Sequence, residues 1–251
     1  MLTAERRNEI LVRLNRDGKV VASELVDELG VSEDTVRRDL RELAADGLAQ
    51  RVHGGALLPT IPMPSFAQRL QVSREAKGHL AEAALPLLEA AQVIVLDGGT
   101  TSLELARRLP PQRDCTVLTN SPPVAAALAE HPAVEVILIG GRLLKEAQVA
   151  VGAEAISALR NVRADACVLG ICALHPEQGV TTNDLEEAHV KRAMVEAAAD
   201  VIAIATTDKL NAGSAYLVAE AAELTHLVAQ ATAGDELLDP YRALGVTVTT
   251  A

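Results

Sequence analysis

Six apolar runs, "VIVLDGGTT", "CTVLTN", "VEVILIGG", "ADACVLGICA", "DVIAIATT" and "THLVAQ", recur between Val93 and Gln230. The stretches around them, such as "REAKGHLAEAALPLLEA" and "DLEEAHVKRAMVEAAA", place their apolar residues at helical period instead. Strand runs that alternate with helices imply a mostly parallel sheet covered on both faces. The expected fold from residue 73 onward is therefore α/β. Aromatic residues make up only 1% of the chain against 49% hydrophobic, so its core must be built from Ala, Val, Leu and Ile.

That pattern does not extend to the N-terminus. "PTIPMPSF", from Pro59 to Phe66, packs three prolines into a few positions and interrupts both helix and central strand. The expected division is a first domain over residues 1–58, a linker over 59–72 and a second domain over 73–251. In the first, Ile10, Leu11 and Leu14 form one stripe of an amphipathic helix that ends at Gly18. "ASELVDELG" supplies a second short helix with Leu25, Val26 and Leu29 inward and Gly30 at its close. Ser32 is a good N-cap for a third, whose buried stripe is Val36, Leu40 and Leu43. Two helices joined by a tight glycine turn read as helix-turn-helix.

On the third helix Asp34, Arg37, Arg38 and Arg41 fall at i, i+3, i+4 and i+7, so they share the face opposite the core stripe. Arginine forks on such a face bind guanine edges or phosphates, while Ser32 and Thr35 at the helix start reach bases or backbone. The alternative is a solvated helix stitched by Asp34–Arg38 and Arg38–Glu42 pairs. "LAQRVHGGALL" follows at once as two short runs around "HGG", which suits a wing carrying Arg51 and His53. The whole chain has a net charge of -11, and residues 1–58 hold 9 Lys+Arg against 11 Asp+Glu. Such a balance is wrong for coating nucleic acid indiscriminately, so any DNA contact must be local.

"LGVSEDTVRRDLRELAADG" followed by "RVHGGAL" resembles the DNA-binding signature of the DeoR family of bacterial transcriptional regulators. The resemblance implies a winged helix-turn-helix ahead of a sensor domain of ribose-5-phosphate isomerase-like fold, with double-stranded operator DNA and a phosphorylated sugar as partners. It implies a repressor of a carbohydrate operon that works as a homodimer or homotetramer. An activator, or a sugar-phosphate isomerase with a DNA-binding head, is the alternative.

For the sensor, "DGGTT" after an apolar strand is a glycine turn that opens a helix, where backbone N–H groups converge on an anion. It is neither a Walker loop nor a GxGxxG fingerprint, so no nucleotide cofactor is expected. The family resemblance carries phosphate contact onto Gly98, Gly99, Thr100 and Thr101, and effector-site roles onto Asp97, Asn120, Glu187, Lys191 and Lys209. Asn120 serves equally as a helix cap. Two departures stand out: "DGGTT" replaces the family's Asp-Ser-Gly-Thr-Thr, and in "TTDKLN" Thr206 stands where an aspartate is expected and Asp208 where a serine is.

Cys115, Cys167 and Cys172 lack any CxxC spacing and sit in or beside apolar runs, as buried structural thiols do, so no metal site is expected. No apolar run reaches the roughly 18 residues of a membrane span, and "MLTAERRNEI" lacks a signal peptide's apolar core. A cytoplasmic protein without membrane contact is expected.

Overall fold

The computed structural model describes residues 2–57 and 64–251, except the side chains of Asn15 and Arg16; positions 59–63 of the expected linker lie outside it. The N-terminal unit opens with helix α1 (Thr3–Asp17), which presents Ile10 and Leu14 to the core and ends where Gly18 turns left-handed at φ 69°. Strand β1 (Lys19–Val21) leads into α2 (Ala22–Leu29), and α3 (Glu33–Ala45) follows after Gly30. Ser32 caps α3 by accepting the Thr35 N–H. Strands β2 (Gln50–Val52) and β3 (Gly55–Leu57) pair antiparallel across the His53–Gly54 turn.

Val36, Leu40 and Leu43 form the expected buried stripe and pack with Ile10, Leu14, Leu25 and Ala56. The wing is larger than the sequence reading, because β1 pairs with β3 and makes it three-stranded. A three-residue strand contributes too few positions for a period to register, and its partner is set by tertiary contact.

The C-terminal unit begins with α4 (Phe66–Gln71) and α5 (Arg74–Ala84). The expected linker thus contains a helix, and Phe66 buries its ring with Leu80 and Leu103 in the sensor core. Next come β4 (Val93–Leu96), α6 (Thr100–Arg108), β5 (Cys115–Thr119), α7 (Pro122–Leu128) and β6 (Val134–Leu138). A hairpin of β7 (Arg142–Leu144) and β8 (Val149–Val151) precedes α8 (Ala153–Arg160) and β9 (Ala164–Gly170). Then follow β10 (Ala173–His175), β11 (Gly179–Thr182), α9 (Leu185–Ala197), β12 (Ala198–Ala205), β13 (Tyr216–Ala219), β14 (His226–Ala229), α10 (Gly234–Ala243) and β15 (Thr247–Thr250).

Seven strands form one parallel sheet in the order β15-β14-β12-β9-β4-β5-β6. Consecutive residues face opposite sides. Ile94, Leu96 and Val168 pack beneath α5, α6 and α7, while Val95, Cys167 and Leu169 pack against α8, α9 and α10. Burial on both faces explains why these strands read as continuous apolar runs.

The chain builds outward from β4 through β5 to β6, then returns to lay β9 on the other side of β4. The carboxyl ends of β4 and β9 therefore border the topological switch point, where open parallel sheets bind ligands. Strands β10, β11 and β13 form a separate antiparallel sheet. Among the described residues no helix is long and apolar enough to cross a membrane.

Candidate functional site

Two sites emerge, one in each unit. On α3 the side chains of Arg37, Arg38 and Arg41 are exposed opposite the buried stripe. Arg37, Arg41, Arg51 and His53 line one groove between α3 and the wing, so the helix and wing candidates converge. The Ser32 and Thr35 hydroxyls lie 2.9 Å apart at the start of α3. Arg37 pairs with Glu33 at 2.6 Å on the solvent side, an exposed contact that contributes little and yields easily to a phosphate.

The far side of α3 holds a contact the sequence did not reveal. Asp39 is fully buried and accepts from Arg6 Nε at 2.5 Å and Arg6 Nη2 at 3.3 Å. Arg7 reaches Asp39 at 3.4 Å and also pairs with Glu42, which the solvated-helix alternative assigns to Arg38. The hydrogen bond to Asp39 raises the Arg6 pKa, with burial opposing it. These arginines fasten α1 to α3, on the side away from the groove.

The second site lies at the switch point. Gly99 opens α6 with φ 131°, a conformation that favours glycine, and a Cβ on Gly98 would come within 2.1 Å of Val149 Cγ1. Both glycines of "DGGTT" are thus required by geometry. The loop lets Gly98 through Ser102 form a cleft wall at the N-terminus of α6, facing Glu187, Lys191 and Lys209. A helix start with unpaired N–H groups favours an anion there.

Asp97 does not line that cleft. It lies buried behind the wall and accepts N–H bonds from Gly98 at 2.7 Å and Gly170 at 2.8 Å, together with the Lys191 ammonium. Lys191 also donates to Gly170 O at 2.8 Å and lies 3.5 Å from Glu187, which accepts from the Thr182 hydroxyl. Burial opposes charge on Lys191, yet Asp97 and Glu187 outweigh it and raise its pKa. Burial, helped by Glu187, leaves the Asp97 carboxyl above its ordinary value, although Lys191 and the Gly170 N–H pull it down. This knot ties β4, β9 and α9 together at the cleft floor.

A second hollow adjoins the first and shares Arg69, Thr100, Cys172 and Lys209 with it; Ser73, Lys77, Thr206 and Asp208 complete its polar lining. Three cations therefore converge here: Arg69 from α4, Lys77 from α5 and Lys209 from the turn after β12. Burial lowers the pKa of Arg69 and of Lys77, and pulls Lys209 down to about 8. Lys209 Nζ donates to Ile171 O at 2.5 Å. Sequence reasoning found Lys209 and missed Arg69 and Lys77, which carry no motif and sit on separate helices.

Two expectations need correction. Asn120 donates its side-chain N–H to Ala150 O at 2.9 Å and accepts the Ala150 N–H on its backbone carbonyl, joining β5 to β8 outside both hollows. Asp97 likewise acts through Lys191 and the loop instead of facing a ligand. Cys115 and Cys167 are buried as expected, but Cys172 is only partly so and borders the cleft.

A winged helix followed by a parallel α/β unit with a cation-lined cleft defines the class of ligand-responsive transcriptional regulators. The chain belongs to the DeoR family: residues 6–61 match the DeoR-like helix-turn-helix domain and residues 72–231 the DeoR C terminal sensor domain. It is 38% identical to the HTH-type transcriptional regulator GlpR of Haloferax volcanii, over 99% of this chain and 98% of that one. It is 34% identical to the HTH-type transcriptional repressor GlcR of Bacillus subtilis, over 91% of this chain and 88% of that one. The Glycerol-3-phosphate regulon repressor of Escherichia coli K12 is 29% identical over 87% of this chain and 89% of its own length. Among solved structures, ribose 5-phosphate isomerase A of Methanocaldococcus jannaschii aligns over 54% of each chain at 13% identity and a TM-score of 0.39.

Proposed function

We propose that this chain represses a carbohydrate-utilisation operon and that a phosphorylated sugar or polyol, bound in the switch-point cleft, sets its affinity for the operator. The observation that carries the reading is the convergence of Arg69, Lys77 and Lys209 on the N-terminus of α6, with Thr100 bordering both hollows. A phosphate group matches backbone N–H donors, a hydroxyl and cations at once. Deeper in, Glu187 and the carbonyls of Gly170 and Ile171 are acceptors, which suits the hydroxyls of a sugar. The named role of the Escherichia coli relative in a glycerol-3-phosphate regulon supports the same ligand class.

Arg37, Arg38 and Arg41 read the major groove, while Arg51 and His53 contact backbone or minor groove from the wing. One recognition helix makes few base contacts, so a cytoplasmic homodimer or homotetramer on repeated half-sites is the working form. Lys191 favours this reading over an isomerase, because an ammonium committed to Asp97 and Glu187 with a raised pKa is a poor general acid.

The test is a thermal-shift screen of inorganic phosphate and of sugar and polyol phosphates, followed by operator gel shifts with each hit. The reading stands if at least one compound both raises the melting temperature and changes operator affinity. It falls if none does, or if the protein turns over a sugar phosphate.

A further inference from the structure

Helix α4 is six residues long, far too short to persist unaided. At its start, Ser65 and Gln68 cap each other's backbone N–H groups at 3.3 Å and 2.9 Å. The Phe66 N–H donates to Glu146 O at 3.1 Å. At its end, Lys77 Nζ donates to Arg69 O at 2.6 Å and to Val72 O at 2.5 Å. Those carbonyls lie where a helix runs out of its own N–H partners. Arg69 adds a strap across the other end, donating from Nε to Pro64 O at 3.1 Å and from Nη2 to Glu146 O at 3.3 Å.

Lys77 and Arg69 are thus employed twice. They hold α4 in place, and they line the outer hollow with Lys209. An ammonium has three donors, and two of those on Lys77 are committed to α4 carbonyls. A phosphate beside it offers a full opposite charge along with its acceptor oxygens, where a carbonyl offers only a dipole. Occupancy of the hollow and integrity of α4 therefore compete for the same side chains. In sequence, α4 lies between the sensor sheet and the segment that leads back to the wing at Leu57.

We propose that α4 is the transmission element of this regulator: an anion in the outer hollow draws Lys77 and Arg69 away from the carbonyls that fasten α4, and the loosened helix changes operator affinity. This rests on the cleft being the effector site, but the release of α4 is a separate event with its own readout.

The experiment uses the full chain and two variants. Lys77→Met keeps most of the apolar stem and removes the donors. Without any ligand, it speeds deuterium exchange of the Phe66 to Gln71 amides by about tenfold. It also shifts operator affinity in the direction produced by saturating effector, whereas Lys77→Arg stays near wild type. Ser65→Ala with Gln68→Ala lies outside both hollows. By the same competition, this pair binds each phosphate probe at least as tightly as wild type, and it loses most of the operator response because α4 is already loose.

The probes are inorganic phosphate, glycerol 3-phosphate, fructose 1-phosphate and glucose 6-phosphate. If Lys77→Met folds and leaves both α4 exchange and operator affinity unchanged, the proposal is overturned. It is equally overturned if a probe alters operator binding while α4 exchange stays constant. If no probe binds in calorimetry but Lys77→Met still loosens α4 and shifts operator affinity, the device stands and the sugar-phosphate reading fails.

Discussion

Asp39, fully buried on α3, holds the Arg6 guanidinium of α1 at 2.5 Å across 33 residues of sequence. The recognition helix is thereby bolted to the first helix on the side away from the groove, and its arginines project from a fixed support. The same helix carries both kinds of charge, with buried acid inward and exposed base outward.

Removing one partner of that bolt leaves a buried charge with nothing to compensate it. Asp39→Ala is expected to cost about 3 kcal/mol, the lower end for a broken buried pair, since a small domain keeps water close. Arg6→Met combined with Asp39→Leu should restore most of the loss, because a packed apolar pair needs no partner. Urea unfolding of the full chain, followed at the winged-helix transition, decides it. A wild-type midpoint for Asp39→Ala would show the pair to be energetically idle.

Arg37→Ala with Arg38→Ala should abolish specific operator binding and leave the melting temperature and the effector-induced shift intact. Arg37 gives up only the exposed Glu33 pair, which is worth tenths of a kcal/mol, whereas each lost bidentate base contact costs about 1 to 3 kcal/mol of discrimination. Footprinting on the natural operator is the measurement. The same protected site in the double variant removes α3 from its role. His53→Ala should weaken binding less, as a wing contact.

Lys209 makes effector binding depend on pH, since burial pulls its ammonium down to about 8. The second ionisation of a phosphate ester is complete above about pH 7, so the lysine alone changes charge beyond that point. Affinity should fall as pH rises through 8, and binding near pH 8 should take up a proton, visible by calorimetry in buffers of different ionisation enthalpy. The free protein behaves oppositely. Between about 8 and the ordinary lysine value of 10.5 the unfolded chain holds the extra proton, so this group's contribution to stability rises with pH across that window. Lys209→Met should remove both slopes and weaken the effector. Affinity that stays flat from pH 7 to 9 would return Lys209 to a structural role.

The parallel sheet was legible in the sequence because residues such as Ile94, Val95 and Leu96 are buried on both faces, which leaves a continuous apolar run. Helix α3 was legible because one face is arginine and the other is Val36, Leu40 and Leu43. What stayed hidden was set by distant pairing. Arg6 meets Asp39, and Lys77 meets the end of α4, through tertiary geometry that no local period encodes. Asn120 misled for the same reason: a polar residue at a strand's carboxyl end resembles a ligand contact until its partner, Ala150 O of a later hairpin, is seen. "DGGTT" was legible only in part: Gly99 answers to a local demand, its φ of 131°, whereas the close approach that requires Gly98 comes from Val149 of a later hairpin.

Thr100 borders both hollows at the first turn of α6, and it is buried with no room for an uncompensated charge beside a bound phosphate. Thr100→Asp sets a carboxylate against the anion and removes a hydroxyl donor, so effector affinity should fall by at least about a hundredfold, the scale of 2.7 kcal/mol. The fold should survive, because an acidic residue at a helix start is favoured by the helix dipole and Lys209 lies nearby to offset it. If the effector releases the repressor, this variant occupies its operator permanently and ignores the metabolite. If the effector is required for DNA binding, occupancy is lost instead. Either result places the anion at Thr100, whereas a folded variant with the wild-type response reduces the loop to a strand-to-helix turn.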